Sequence, residues 1–268
     1  MLENFILYLA FGSLAGLLSG LFGIGGGVVL VPFLAWQFSR QGFSPETIMI
    51  MAIATSLATI VMTSLSAIYS HHRLGSVHWP TVRRLSPGIM AGTMLGSIVA
   101  ERLPVHALKL IFSLFLLLIA VRMLSGGKQD DKTPWRPSRW LLAAAGLAIG
   151  ALSAILGIGG GTMSVPLLSR LKFSMRAAVA NSSACGFPIA VAGSASYIAL
   201  GWQLPELPPY CLGYIYVPAV AGIVVTSVLF APAGARLAHR LPTARLKRLF
   251  ALVIFAIGSR MLWQSTSS

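Results

Sequence analysis

Two copies of one phrase supply the residues in this chain best suited to chemistry. Gly23-Ile24-Gly25-Gly26-Gly27 is followed by Val31-Pro32, and 134 positions later Gly157-Ile158-Gly159-Gly160-Gly161 is followed by Val165-Pro166. Eight of the fourteen positions from Leu21 to Leu34 match those from Ile155 to Leu168, and both copies interrupt apolar runs. A glycine cluster in such a run frees backbone amides where water does not reach, so protein or a ligand must satisfy them. Helices starting after Gly27 and Gly161 would aim unpaired N–H groups and positive dipole ends at one place, which favours an anion. The alternative is that these glycines only let helices approach closely, as small residues do in membranes. A dinucleotide fingerprint fits poorly, because Val28 and Thr162 stand where its last glycine belongs and no ribose-binding acid follows.

Neutral donors recur beside the glycines. Thr55-Ser56 and Asn181-Ser182 occupy matching positions in apolar runs, at an offset of 126, with Thr59, Ser183 and Thr162 as lesser candidates. Hydroxyl and amide groups suit an anion that must bind and then leave; the competing reading is that they bond to neighbouring helices or to their own carbonyls. No aspartate or glutamate lies deep in an apolar run, so the carboxylate relays of proton or sodium coupling are not expected. The sequence offers no metal-ligand cluster, no Ser-His-Asp set and no buried acid pair. Neither catalysis nor a metal or cofactor is expected.

The elements that must position these groups are membrane spans. Hydrophobic residues make up 56% of 268 and charged residues 10%, with a mean hydropathy of +0.81. Several runs reach the roughly 20 apolar residues that cross a bilayer core. Apolar segments cover 4–36, 44–70, 86–103, 107–124, 140–169, 174–200, 210–236 and 246–264, and Ser44-Pro45-Glu46 reads as a helix start. Met1-Leu2-Glu3 lacks the basic region of a cleavable signal, so the first segment is expected to stay. The polar stretch 125–139 divides the chain into repeats 1–124 and 140–268, because Leu103-Pro104 and Arg122-Met123-Leu124 recur as Leu241-Pro242 and Arg260-Met261-Leu262. Trp36, Trp79, Trp135, Trp140, Trp202 and Trp263 lie near span ends and read as interfacial anchors. His71 and His72 read as interfacial caps, and Cys185 as packing.

Charge orients the repeats. The net charge is +14, but the basic residues sit in short loops without interleaved aromatics, which argues for membrane topology and against nucleic acid. If each glycine-broken segment turns back on itself, each repeat crosses three more times and the two repeats are inverted. Glu3, Arg40, Glu46, Glu101, Arg102, Lys109, Glu206 and Arg260 then cancel on one face, and the whole +14 falls on the other. That split places both termini outside. The broken segments, 33 and 30 residues long, are also long enough to be single tilted, kinked helices. The fold expected is an all-α polytopic membrane protein of two inverted-topology repeats, each a re-entrant or hairpin first segment followed by three transmembrane helices. Such repeats place a binding site near the midplane, where the breaks meet.

The paired Gly-Ile-Gly-Gly-Gly-x-x-x-Val-Pro phrases, the Ala54-Thr55-Ser56 and Ala180-Asn181-Ser182 segments and the duplicated layout resemble the TauE/SafE sulfite-exporter family, also called TSUP transporters. The resemblance spans essentially the whole chain and implies a multi-pass transporter of a bacterial inner membrane. Its cargo would be a small sulfur-containing anion such as sulfite, a sulfonate or sulfoacetate, or an organic acid, and export is the direction implied. By the same resemblance, Gly23, Gly25, Gly26, Gly27, Gly157, Gly159, Gly160 and Gly161, with Thr55, Ser56, Asn181 and Ser182, would bind substrate. Thr55 facing Asn181 makes the site asymmetric. An anion channel is the alternative. The expected partners are the anion and membrane lipid, and nothing in the residues fixes an oligomeric state.

Overall fold

A computed structural model describes residues 2–23, 25–124, 139–171, 173–204, 207–240 and 243–266. Ten helices account for nearly all of them: α1 (Leu2–Phe22), α2 (Gly27–Arg40), α3 (Ile48–Arg73), α4 (Trp79–Arg102), α5 (Val105–Leu124), α6 (Arg139–Leu156), α7 (Gly161–Arg170), α8 (Met175–Gly201), α9 (Val217–Arg240) and α10 (Thr243–Thr266). A small antiparallel hairpin, β1 (Cys211–Leu212) and β2 (Ile215–Tyr216), precedes α9. Among the described residues, four helical stretches, in α1, α3, α8 and α9, are long and apolar enough to cross a membrane. The linker expected at 125–139 lies outside the described residues except for Arg139, as do Trp135, Lys172 and Glu206.

Local chemistry sets the helix limits. Gly26 and Gly160 precede α2 and α7 in the left-handed region, at φ 77° and 70°, which glycine adopts without the Cβ penalty. Pro104 stands directly before α5, and Pro80 sits in the first turn of α4, where its missing N–H costs no helical bond. The start expected at Ser44 is displaced. Thr47 and Ile48 donate their N–H groups back to the Ser44 carbonyl at 3.1 and 3.2 Å, and the regular helix begins only at Ile48.

The first glycine phrase reverses the chain. Arg40 at the end of α2 lies 3.8 Å from Glu3 at the start of α1, Gln37 donates to Asn4 Oδ1 at 2.8 Å, and the Phe11 and Phe33 rings stack at 3.7 Å. Those pairings require α2 to run back alongside α1. At the second phrase, Gly160 lies against Ile149 and Ser153 of α6.

Helix partners are exchanged between the two ends of the sequence. α1 packs on α9 and α4 on α6, while α3 meets α8 and α5 meets α10. Glycine makes the first two contacts close. Gly12, Gly16 and Gly20 on α1 face Ile223, Ser227 and Ala231 of α9; Gly88, Gly92 and Gly96 on α4 face Ala143, Leu147 and Ala151 of α6. A Cβ at any of these would strike the facing backbone, the close approach that small residues spaced by four permit. α3 forms the centre: 78% of its apolar window is buried inside the protein, against 33% for α9.

Candidate functional site

Both glycine phrases end in the core and touch there. Gly23, Gly25, Gly26, Gly27, Gly157, Gly159, Gly160 and Gly161 are all buried. A Cβ on Gly25 would lie 3.0 Å from Gly159 Cα, and one on Gly27 would strike the Gly157 carbonyl and come within 2.9 Å of Ile158 Cα. The breaks are therefore in backbone contact, with room for hydrogen atoms only.

Each break is the start of a helix that no side chain caps. Val29 and Leu30 donate to the Gly26 carbonyl, and Met163 and Ser164 to that of Gly160, which leaves the two preceding amides of each helix without an intrahelical acceptor. Pro32 and Pro166, five residues into α2 and α7, remove the donors that would bond the Val28 and Thr162 carbonyls. The positive ends of two helices thus lie beside one buried backbone contact.

Of the expected polar residues, Ser56 and Ser182 bond to this junction, and Thr55, Ser56, Asn181 and Ser182 are all fully buried. Ser56 of α3 donates to the Gly157 carbonyl at 2.8 Å, and Ser182 of α8 donates to the Gly23 carbonyl at 3.1 Å. Each serine therefore braces the glycine break of the other end of the chain. Thr55 and Asn181 form a second such pair. Thr55 Oγ1 accepts from the Tyr216 N–H at 3.1 Å, and Asn181 Oδ1 accepts from the His78 N–H at 2.7 Å while its Nδ2 donates to the Ala177 carbonyl. Tyr216 follows His78 by 138 positions, the offset already seen between Leu103-Pro104 and Leu241-Pro242. The lesser candidates stay within their helices: Thr59 donates to the Ser56 carbonyl and Ser183 to that of Val179.

Sequence reasoning missed two hydroxyls and misplaced a histidine. Ser153 Oγ and Ser164 Oγ, like Thr162 Oγ1, are buried without a hydrogen-bond partner. Ser153 Oγ lies 3.2 Å from where a Gly160 Cβ would be, and Thr162 and Ser164 belong to the first turns of α7. Val28 and Leu30 occupy the positions of α2 aligned with Thr162 and Ser164, so a hydroxyl-for-aliphatic difference was the available signal there, whereas Ser153 aligns with another serine, Ser19. His71 is not an interfacial cap. It is wholly buried, with Nε2 3.1 Å from the Gly20 carbonyl, and its counterpart Tyr197 donates to the Ala154 carbonyl at 3.0 Å. His72 does lie at the surface, where Trp79 Nε1 donates to its Nδ1 at 3.3 Å. Trp140, Trp202 and Trp263 are exposed, as anchors would be, and Cys185 is buried.

A family described as "Sulfite exporter TauE/SafE" matches residues 8–261. A probable membrane transporter protein of Haemophilus influenzae is 36% identical over 261 residues, which cover 97% of this chain and 99% of that protein. One of Methanocaldococcus jannaschii is 25% identical over 94% of this chain and 92% of its own length. YunE of Bacillus subtilis, also named a probable membrane transporter protein, is 25% identical over 99% of this chain and 100% of its own length. No solved structure matches. Helices long enough to cross a membrane, a family match over nearly the whole length and relatives of the same extent lead to one assignment: the chain belongs to the sulfite exporter TauE/SafE family and is a multi-pass membrane transporter rather than an enzyme.

Proposed function

We propose that the protein is a secondary transporter that exports a small sulfur-containing anion, of the sulfite, sulfonate or sulfoacetate kind, or an organic acid, across a bacterial inner membrane. The anion would sit where the two glycine breaks meet. The observation that carries this reading is the contact of Gly25 with Gly159, which brings two uncapped helix starts together in the core. Ser56, Ser182, Thr55 and Asn181 would supply neutral donors once their present bonds are released. With the glycines buried and in contact, this conformation corresponds to a closed step of the cycle.

Residues 1–124 and 140–268 would be inverted repeats joined by 125–139, with both termini periplasmic. The exchange of α1 onto α9 and of α4 onto α6 supports that reading, as does the return of α2 along α1. So does the grouping of charge. Glu46 and Lys109 line one cleft together, whereas Arg176 lines another beside the connection that follows Arg73.

Reconstitution decides the matter. Proteoliposomes loaded with sulfite, thiosulfate, sulfoacetate, taurine or a short carboxylate should show counterflow: substrate on the far side accelerates exchange, which an open channel does not allow. Gly26→Val and Gly160→Val place a branched side chain at left-handed positions against Ala15 and Ile189 and should abolish flux. Ser164→Ala, which leaves the backbone alone, should weaken binding if the second break holds the anion. Wild-type flux in all three variants, each inserted in the membrane, would overturn the site.

A further inference from the structure

A cleft of about 450 Å³ opens between the α3–α4 connection and the start of α8, lined by Gly75, His78, Phe173, Ser174, Arg176 and Ala177 among others. Behind the lining lies buried Asn181, which accepts from the His78 N–H and donates to the Ala177 carbonyl, and so ties the cleft's two walls together. The His78 ring lies 5.5 Å from that of Phe173. No acidic side chain is among the described residues that line the cleft.

The other end of the molecule carries the same construction with different charges. Phe43-Ser44-Pro45-Glu46 aligns with Phe173-Ser174-Met175-Arg176, and Tyr216 with His78. The Phe43 and Tyr216 rings are 5.2 Å apart, the counterpart of the His78–Phe173 pair, and the Tyr216 N–H holds Thr55 as the His78 N–H holds Asn181. Where one end has Arg176, the other has Glu46, in a cleft that it shares with Lys109. Glu46 obeys the preference for an acid near a helix start. Arg176, in the first turn of α8, opposes the helix dipole. Ser174 already caps that turn by accepting from the Ala177 N–H, so Arg176 is not there to complete the helix. A position that breaks a local rule against its own counterpart is where function is expected.

We propose that this cleft is the anion-collecting mouth of the transporter, where exposed Arg176 draws a sulfonate or oxyanion onto the path to Asn181, and that Glu46 makes the opposite mouth a poor holder of the same anion. The two mouths then differ in affinity although their frames match. This rests on the transport reading above.

The test is initial-rate transport of sulfite and of sulfoacetate in vesicles of known orientation. Arg176→Ala should raise KM about five- to tenfold for substrate offered on the Arg176 side, with kcat within about twofold and KM from the other side unchanged. Arg176→Lys should recover most of the loss. Wild-type KM on that side should climb with ionic strength, because an exposed charge is screened within about 8 Å at physiological salt, while the alanine variant stays flat. Glu46→Arg, which does not depend on Arg176→Ala inserting, should lower KM from its own side. If the wild type transports but neither substitution moves KM, the mouth is wrong and transport stands. Equal losses from both sides put Arg176 in the shared path and also overturn it. A wild type that moves neither anion nor any other probe overturns the transport reading itself.

Discussion

At the scale of single residues, the centre is held by bonds that cross from one end of the sequence to the other. Replacing Ser56 or Ser182 by alanine leaves the carbonyl of Gly157 or Gly23 buried without its donor, a loss of about 1–3 kcal/mol each. Thermal unfolding in detergent should register both; an unchanged midpoint would mean that the carbonyls find other partners. Burial pushes the Cys211 thiol up to about 11, so the neutral thiol dominates at physiological pH. Maleimide labelling of the native protein should be slow at pH 7.5 and accelerate about tenfold for each unit by which the pH is raised, until the thiol itself titrates, since only the thiolate reacts. Fast labelling at neutral pH would contradict the burial. Which residues mattered was legible in the sequence, because duplication singled out Thr55-Ser56 and Asn181-Ser182. Their partners were not legible, because each bond joins groups more than 100 positions apart. His71 was misread from its neighbours His72 and Arg73. Helical spacing placed it on the face of Ser64 and Ala67, which are buried, and that signal outweighs proximity to a charged loop.

At the scale of elements, glycine spacing decides which helices touch. Gly92→Leu drives a side chain into the Leu147 carbonyl across the α4–α6 contact, where no rotamer avoids backbone. It should cost about 3 kcal/mol or more and give a protein that unfolds or aggregates on extraction. Gly75→Ala, with nothing within 4 Å but a φ of 65°, should cost only about 1–2 kcal/mol. Equal stability of the two variants in size-exclusion and melting assays would show that close approach is not what glycine provides in α4. The breaks at Gly23–Gly27 and Gly157–Gly161 were legible as interruptions of apolar runs. The G-x-x-x-G-x-x-x-G series at Gly12, Gly16 and Gly20 and at Gly88, Gly92 and Gly96 was equally visible, but the pairing of α1 with α9 and of α4 with α6 belongs to the fold.

At the scale of the whole molecule, the proposed inverted arrangement separates the charged ends. Cysteines placed at 40 and 170 should react with an impermeant reagent from opposite sides of the membrane, because the repeats would present Arg40 and Arg170 to different faces. Labelling of both from one side would restore a parallel arrangement of single spans. Energetics give a second expectation. The described acidic residues Glu3, Glu46 and Glu101 lie in the first turn of α1, in the turn before α3 and in the last turn of α4. Flux of a charged anion should therefore carry net charge, and an inside-negative potential should speed efflux by about 2.3 kcal/mol per charge per 100 mV. A valinomycin-set potassium potential at equal pH is the measurement; efflux that ignores it and follows a pH gradient would mean proton-coupled, electroneutral exchange.

The exchange of α1 onto α9 also sets a timetable for biosynthesis. About 200 residues separate the end of α1 from the start of α9, and at roughly 5–20 residues per second the ribosome needs on the order of 10–40 seconds to make them. During that interval the glycine face of α1 has no permanent neighbour, and the growing chain must be sheltered by the insertion machinery or by lipid. The α4–α6 pair closes much sooner. A late step of maturation is then the insertion of α9 beside a helix that was synthesised first, so quality control that surveys unpartnered membrane helices would act on this protein late, after most of its chain already exists.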